Sequence, residues 1–256
     1  MSILDKFSMK GKNLLVTGGA RGIGRAVAEG FADAGANVGI ADIDLKQAEI
    51  TAKEINAKYG VETLALQCDV TAQPEVVKMV AAYADRFKRI DVLFNNAGIC
   101  INNNAELMTA EEWHRVMDIN INGEFYVAQE VGKRMIAQGG GSIVNTASMA
   151  ATMVVWPQPQ VSYNASKGAV VMLTKSMAAE WAKYHVRVNC ISPGYTRTEL
   201  TDAIRKDWRD YWTSVIPMGR MAEVEELVGA VLYLASDAAT YTTGTDLIVD
   251  GGTTCT

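Results

Sequence analysis

The 256-residue chain carries 24 Lys and Arg against 29 Asp and Glu, a net charge of −5. That balance disfavours a nucleic-acid or anionic-membrane binder, since both need a basic face. Hydrophobic residues make up 49% and charged residues 21%, the proportions of a soluble globular protein with room for a sizeable core. No run reaches the roughly 18 uncharged apolar residues of a membrane span. The opening M-S-I-L-D-K-F-S-M-K lacks the apolar run of a secretory signal. Cys68, Cys100, Cys190 and Cys255 are scattered and form no C-x-x-C, so reduced thiols and a cytoplasmic protein are expected. With only His114 and His185, a histidine triad or zinc site is a poor fit, and no metal is expected.

The apolar run 13–17, N-L-L-V-T, predicts a buried strand. G-G-A-R-G-I-G follows, with Gly18, Arg21, Gly22, Ile23 and Gly24; then Ile23, Val27 and Phe31 recur at helical spacing. A glycine turn between strand and helix lets a pyrophosphate approach the backbone. The helix start supplies free N–H groups and a positive dipole end. The spacing is G-x-x-x-G-x-G rather than the commoner G-x-G-x-x-G. A second strand over 37–41 ends at Asp42, whose carboxylate can accept from both hydroxyls of an adenosine ribose and would repel a 2′-phosphate. NAD is therefore expected in preference to NADP, with Asp44 and Arg21 close enough to modify the choice. Alternatively, Asp42 only caps the next helix.

A helix at about 44–58 and a strand over 62–67 continue the alternation. Asp69, beside Val70, can accept from an adenine amino group or merely start the helix 74–88. Strand 90–94 runs into Asn95, Asn96, Ala97 and Gly98, a small-residue loop where a ligand must pass. One long helix is predicted over about 111–138, with Asn120, Asn122 and Gly123 at positions that propensity disfavours. A buried asparagine there either interrupts the helix and binds backbone or holds a water.

Strand 142–146 leads to Ser148, and a helix is predicted from about 162 to 183. It places Tyr163 and Lys167 on one face. An adjacent ammonium lowers a phenol's pKa toward the range where proton transfer is efficient. The bland alternative is a packed tyrosine beside a solvated lysine. Strand 186–191 ends in S-P-G-Y-T-R-T, with Pro193, Gly194, Tyr195, Thr196 and Thr198. Residues 199–218 break the rhythm and hold Trp208, Tyr211 and Trp212, either a substrate lid or surface helices packed on a neighbouring subunit. A helix over 223–235 and a strand over 246–249 complete the chain.

Seven strands alternating with helices predict an α/β fold, a doubly wound parallel sheet covered on both faces. Right-handed crossovers put every motif above at the same, C-terminal edge of that sheet.

On these residues the chain resembles the short-chain dehydrogenase/reductase family over nearly its whole length. The matches are T-G-G-A-R-G-I-G (17–24), Asp42, C-D-V (68–70), N-N-A-G (95–98), Asn120, Ser148, Y-N-A-S-K (163–167) and P-G-Y-T-R-T (193–198). The resemblance implies a single-domain Rossmann fold over 1–256, with a lid insertion at about 195–218. It implies Tyr163 as general acid–base, Lys167 lowering its pKa and holding the nicotinamide ribose, Ser148 orienting the substrate oxygen, and Asn120 holding a relay water. Gly18, Gly22, Ile23 and Gly24 would cradle the pyrophosphate. Asn95 and Ala97 would line the adenosine side; Pro193, Tyr195 and Thr198 would hold the nicotinamide end. A homotetramer is expected on the same ground.

The insert W-P-Q-P-Q at 156–160 looks like that of the family's polyol dehydrogenases and ketose reductases. Trp156 can stack on a sugar edge, and Gln158 and Gln160 can bind hydroxyls; an ordinary variable loop is the alternative. The expected reaction interconverts a secondary alcohol and a ketone, on a sugar alcohol or related ketose. A 3-oxoacyl-thioester reductase, for which Arg205, Lys206 and Arg209 would form a basic entrance, or a steroid dehydrogenase is the second option. The competing class is a non-catalytic dinucleotide sensor.

Overall fold

Short apolar segments separated by amphipathic ones leave the backbone one economical arrangement: strands in the middle, helices outside. The computed structural model describes residues 2–255 and has this form. Seven parallel strands form one sheet in the order β3-β2-β1-β4-β5-β6-β7. They are β1 Asn13–Thr17, β2 Asn37–Asp42, β3 Thr63–Gln67, β4 Val92–Asn95, β5 Gly141–Thr146, β6 Val186–Pro193 and β7 Asp246–Val249. The helices are α1 Gly22–Asp33, α2 Leu45–Tyr59, α3 Gln73–Phe87, α4 Ala110–Met117, α5 Glu124–Ala137, α6 Val161–Trp181, α7 Glu199–Asp202, α8 Lys206–Val215 and α9 Val228–Ala235.

The strand period of two divides the core. Leu14 and Val16 of β1, with Val38 and Ile40 of β2, pack under Val27 and Phe31 of α1, Ile55 of α2 and Leu234 of α9. Leu15, between them in β1, faces the other way, into a layer with Val80 of α3, Val131 of α5 and Met177 of α6. Both faces are buried, so the strands read as continuous apolar runs rather than alternating ones. The strand order reverses between β1 and β4, where a doubly wound sheet opens its crevice.

The predicted helix over 111–138 is interrupted. Residues Asp118–Gly123 form a π-helical segment between α4 and α5. Asn120, fully buried there, spends its amide outside the helix: Oδ1 accepts from the Ile99 N–H (2.9 Å), and Nδ2 donates to the Ile99 carbonyl (2.9 Å) and Ser166 Oγ (3.0 Å). Side-chain bonds to distant backbone outcompete the regular ladder, which is how such bulges arise at functional sites. The predicted 223–235 helix likewise opens as a 3₁₀ turn over Val224–Leu227 before α9.

Phe31 is fully buried between α1 and the sheet. Phe31→Ala is expected to lower unfolding free energy by about 3–5 kcal/mol, read from urea denaturation. A loss under about 1 kcal/mol would contradict this packing.

Candidate active site

The glycine turn folds as a strand-to-helix corner too tight for side chains. Gly22 sits at φ 55°, in the left-handed region, and a Cβ on Gly24 would lie 2.2 Å from the Gly18 carbonyl oxygen. α1 then begins with no side-chain cap and no acidic residue in its first turn. Its first N–H groups and dipole are left for an anion, the feature a dinucleotide's pyrophosphate requires.

Asp42 ends β2 beside this turn. Its Oδ2 accepts from the Ala20 N–H (3.1 Å) and its Oδ1 from the Asp44 N–H (3.0 Å). The carboxylate is thereby oriented with lone pairs to spare for ribose hydroxyls. Arg21 is drawn away, donating to Asp44 Oδ2 at 2.9 Å and lying 3.9 Å from Glu199. Asp69, half-buried, turns inward: Oδ1 accepts from both the N–H (2.9 Å) and the hydroxyl (2.7 Å) of Thr71. The local turn is thus the observed arrangement. Val70 is buried, its Cγ2 2.7 Å from where a Cβ on Gly123 would stand.

The N-N-A-G loop divides its labour. Asn95 is 2% exposed; it accepts from the Thr17 hydroxyl (3.2 Å) and donates to the Glu124 carbonyl (2.8 Å). The expectation that Asn95 lines the adenosine side is corrected: it is consumed in joining β1, β4 and α5. Asn96 braces the glycine turn, its Nδ2 3.3 Å from the carbonyls of both Thr17 and Gly18. Ala97 packs against Gly18, and Gly98 leaves space in front of Lys167: a Cβ there would stand 3.6 Å from Nζ.

Tyr163, Lys167, Ser148 and Asn120 converge at this edge. Tyr163 and Lys167 lie on α6, with Nζ 5.8 Å from the phenol ring centroid. Ser148 caps a 3₁₀ turn, Oγ accepting from the Ala150 N–H (3.1 Å), and its side chain faces that of Tyr163. Asn120 reaches Tyr163's helix through Ser166, whose hydroxyl donates to the Tyr163 carbonyl (2.8 Å). Because its amide is engaged on Ile99 and Ser166, the side chain of Asn120 braces the loop at Ile99 rather than presenting itself to a water.

The electrostatics differ from the sequence expectation. Burial pushes the Tyr163 phenol up to about 12; the Ser148 bond opposes this, while Cys100 and Glu124 add to it. Lys167 lies over the ring face and donates a hydrogen bond to the Thr146 carbonyl (2.5 Å) instead of pairing with the hydroxyl. Burial holds Lys167 itself below the usual ammonium range. In this arrangement the phenol therefore stays protonated at neutral pH, and the expected lowering by Lys167 is not seen.

The substrate-side expectations are partly redirected. Gln158 is buried and accepts from Trp212 Nε1 (2.9 Å), facing Tyr195 as well. Gln160, also buried, donates to Asn164 Oδ1 (2.8 Å) and accepts from the Cys100 thiol (3.6 Å). Both glutamines, expected to bind hydroxyls, have partners within the protein, Gln158 through its Oε1 and Gln160 through both ends of its amide. Trp156 is 62% exposed, and only its carbonyl is used, by the Tyr195 hydroxyl (3.1 Å). Trp212 is fully packed, stacked on Tyr195 with ring centroids 4.6 Å apart, and Trp208 is half-buried against the same group. The aromatic stretch is thus docked onto the loop after Ser148.

Pro193 ends β6, Gly194 after it lies in close contact with Asp250, Thr196 is buried, and Thr198 caps α7 within 3.6 Å of a Cβ on Gly22. This puts Thr198 directly over the pyrophosphate turn. Sequence reasoning missed Met149, Met153 and Val155, which pack with Tyr163 and Tyr195 into an apolar wall. It also missed Thr146, Cys100 and Glu124, since no local pattern marks them. A cavity of about 830 Å³ lies at the opposite sheet edge among Lys12, Arg89, Asp91 and Arg187 and contains none of these residues.

A doubly wound sheet with an uncapped glycine turn, a carboxylate ending β2 and a Ser–Tyr–Lys group at the crevice is the build of a nicotinamide-dependent oxidoreductase. A family profile described as "Enoyl-(Acyl carrier protein) reductase" matches residues 18–254. The "Probable NADP-dependent mannitol dehydrogenase" of Yarrowia lipolytica is 43% identical over 256 residues, covering 99% of this chain and 91% of that relative. The "NAD-dependent glycerol dehydrogenase" of Listeria innocua is 41% identical, covering 97% and 96%. The crystal structure of a short-chain type dehydrogenase/reductase from Mycobacterium marinum superposes with a TM-score of 0.97 at 43% identity, covering both chains entirely. The chain belongs to the short-chain dehydrogenase/reductase family, and it is an NAD(P)-dependent oxidoreductase that interconverts an alcohol and a ketone.

With nine tyrosines present, the Tyr163 phenol is isolated by subtraction. The 295 nm absorbance of wild type minus Tyr163→Phe, without cofactor, is expected to stay flat below about pH 10, because burial holds the group up to about 12. A phenolate step near pH 7 would refute the assigned electrostatics. Gly24→Ala, forced against the Gly18 carbonyl, is expected to cost about 1–3 kcal/mol in thermal unfolding and to weaken nicotinamide-dinucleotide binding by calorimetry.

Proposed function

We propose that this enzyme is an NAD-preferring polyol dehydrogenase, acting on a sugar alcohol and its ketose, with Tyr163 as the proton donor and acceptor. The bound nicotinamide supplies the hydride chemistry. Gly18, Gly22, Ile23 and Gly24 with the α1 N-terminus would hold the pyrophosphate, beneath Thr198. Asp42 would take the ribose hydroxyls, with Ala97 and Gly98 beside the dinucleotide and Pro193, Gly194, Tyr195 and Thr196 at its nicotinamide end. Lys167 would bind the nicotinamide ribose.

The observation that carries the reading is the convergence of the Ser148 and Tyr163 side chains beside buried Lys167 at the sheet's crevice. A neutral phenol is the form that protonates a carbonyl oxygen during ketone reduction, with Ser148 orienting that oxygen. Alcohol oxidation needs the phenolate, so its rate rises with pH toward the phenol's pKa. The tetrad is more than a dinucleotide sensor needs.

Cofactor choice rests on Asp42. A 2′-phosphate would meet the carboxylates of Asp42 and Asp44, and Arg21, the cation at this corner, is already engaged by Asp44. The relatives divide on this point: that of Yarrowia lipolytica is named as NADP-dependent and that of Listeria innocua as NAD-dependent.

For the substrate, support comes from relatives named for mannitol, glycerol and D-threitol. Beside Tyr163, Cys100, Gln160 and Asn164 form a polar rim opposite the apolar wall of Met149, Met153 and Val155. α7 and α8 act as a lid tied down by Gln158, Trp212 and Tyr195. The basic entrance invoked for an acyl-thioester substrate is offset, since Arg205, Lys206 and Arg209 pair with Asp207, Asp210 and Asp202. We further take the enzyme to be a cytoplasmic homotetramer, which light scattering tests for assembly.

Assayed over a panel of polyols and ketoses, the protein is expected to turn over with NAD(H). Tyr163→Phe should abolish kcat while leaving cofactor affinity within about twofold, because the phenol acts on the reacting oxygen. Binding of cofactor with no turnover on any alcohol or ketone, and no effect of Tyr163→Phe, would overturn the proposal. Asp42→Ala is expected to lower kcat/KM for NAD and narrow its ratio to that for NADP; an unchanged ratio removes Asp42 from cofactor choice.

A further inference from the structure

The proton-transfer tyrosine stands in the part of its helix that is hardest to hold. Tyr163 is the third residue of α6, and the first turn of a helix frays unless its free N–H groups find partners. α4 opens on a capping box between Thr109 and Glu112, whereas α6 has no side-chain cap. Gln160, immediately before α6, secures the turn in another way. Its carbonyl accepts from the Asn164 N–H (3.0 Å). Its side chain is 7% exposed and runs along the helix, Nε2 donating to Asn164 Oδ1 (2.8 Å).

The other end of the same amide leaves α6 for the loop after β4. Gln160 Oε1 accepts from the Cys100 thiol (3.6 Å), and the Gln160 backbone pairs with Asn103 in an isolated parallel bridge. Asn103 passes the tie to α4, its Nδ2 donating to Glu112 Oε2 (2.9 Å), the carboxylate of the capping box. Nearer β4 the same loop is held by Asn120, whose carboxamide bonds both the N–H and the carbonyl of Ile99 and donates to Ser166 Oγ. Ser166 in turn donates to the Tyr163 carbonyl (2.8 Å). The loop is therefore fixed to the start of α6 on two sides. Its first residues, Asn96 and Ala97, lie against Gly18 of the pyrophosphate turn. A side chain that donates with one end and accepts with the other is what this place requires, and a glutamine carboxamide has both.

We propose that Gln160 is a positioning residue for proton transfer: it locks the first turn of α6, and Tyr163 with it, to the loop that meets the pyrophosphate turn. The inference rests on the reading of Tyr163 as proton donor and acceptor, but its first test needs neither turnover nor cofactor.

Gln160→Met keeps the length of the side chain and removes both of its hydrogen bonds. Amide hydrogen exchange of the cofactor-free variant, read by mass spectrometry, is expected to quicken about tenfold or more over residues 99–104 and 160–165 and to stay as in wild type over β1 and β4. Unchanged exchange over 99–104 would overturn the lock. In turnover, kcat is expected to fall by about tenfold or more, since small misplacements of a reacting group are costly. The NADH dissociation constant, from calorimetry, should stay within about twofold, because the variant leaves the dinucleotide's own contacts in place. The solvent deuterium isotope effect on kcat should rise above the wild-type value as the proton step slows; a mere loss of folded protein would leave it unmoved and would refute the assignment. A raised KM with kcat intact would make Gln160 a substrate contact and equally defeat the proposal. Asn164→Ala breaks the lock from the other partner and carries the test if Gln160→Met does not fold. The double variant should lose no more rate than Gln160→Met alone, and full additivity would show that the two residues do not act together. Should exchange quicken as expected while no polyol or ketose is turned over, the lock stands and the substrate reading fails.

Discussion

Everything at the crevice depends on one hydroxyl. Thr17, the last residue of β1, donates to Asn95 Oδ1 and accepts from the N–H groups of Asn96 (2.9 Å) and Ala97 (3.2 Å). It sits where the strand order reverses, between two loops that leave β1 and β4 in different directions. Parallel strands end with unpaired backbone groups on the same edge, and those groups must be satisfied before a ligand can use the space. By tying the loop after β4 to the glycine turn, Thr17 fixes the distance between the pyrophosphate corner and the proton-transfer side chains. Asn96 repeats the tie from the other side, through the Thr17 and Gly18 carbonyls.

From that clamp outward the site is a series of buried polar groups, each satisfied by a chain segment far away in sequence. Asn95 connects to the start of α5, Asn145 donates to the Thr174 hydroxyl (2.9 Å), and Asn120 holds the Ile99 backbone. Buried networks of this kind are costly when incomplete and rigid when complete. Their rigidity suits a reaction in which hydride and proton must arrive at neighbouring atoms.

The substrate side is built differently. Its wall is made of Met149, Met153 and Val155, with the stacked Tyr195–Trp212 pair behind it. Trp212 gives its one donor to Gln158, so the loop between Ser148 and Tyr163 and the helix α8 form a single packed unit. The conformation of that loop and the position of α8 are thereby coupled. A change in that loop alters how α8 docks, and polar residues in the loop are not free merely because the loop is near the site.

Much of the fold and part of the site were legible in the residues alone, for a physical reason. A glycine turn between strand and helix, apolar runs of strand length, and tyrosine four residues before lysine on a helix are local features, set by backbone sterics and by period. Their convergence followed from the handedness of parallel crossovers, so Gly22, Asp42, Ser148, Tyr163 and Lys167 reached one edge as expected. Tertiary structure decided what no local pattern encodes, because burial and hydrogen-bond partners come from segments tens of residues apart. Asn95 became a strut, Asn120 turned a helix into a π segment, and Gln158 was claimed by Trp212. Burial, rather than the neighbouring lysine, set the direction of the Tyr163 proton affinity.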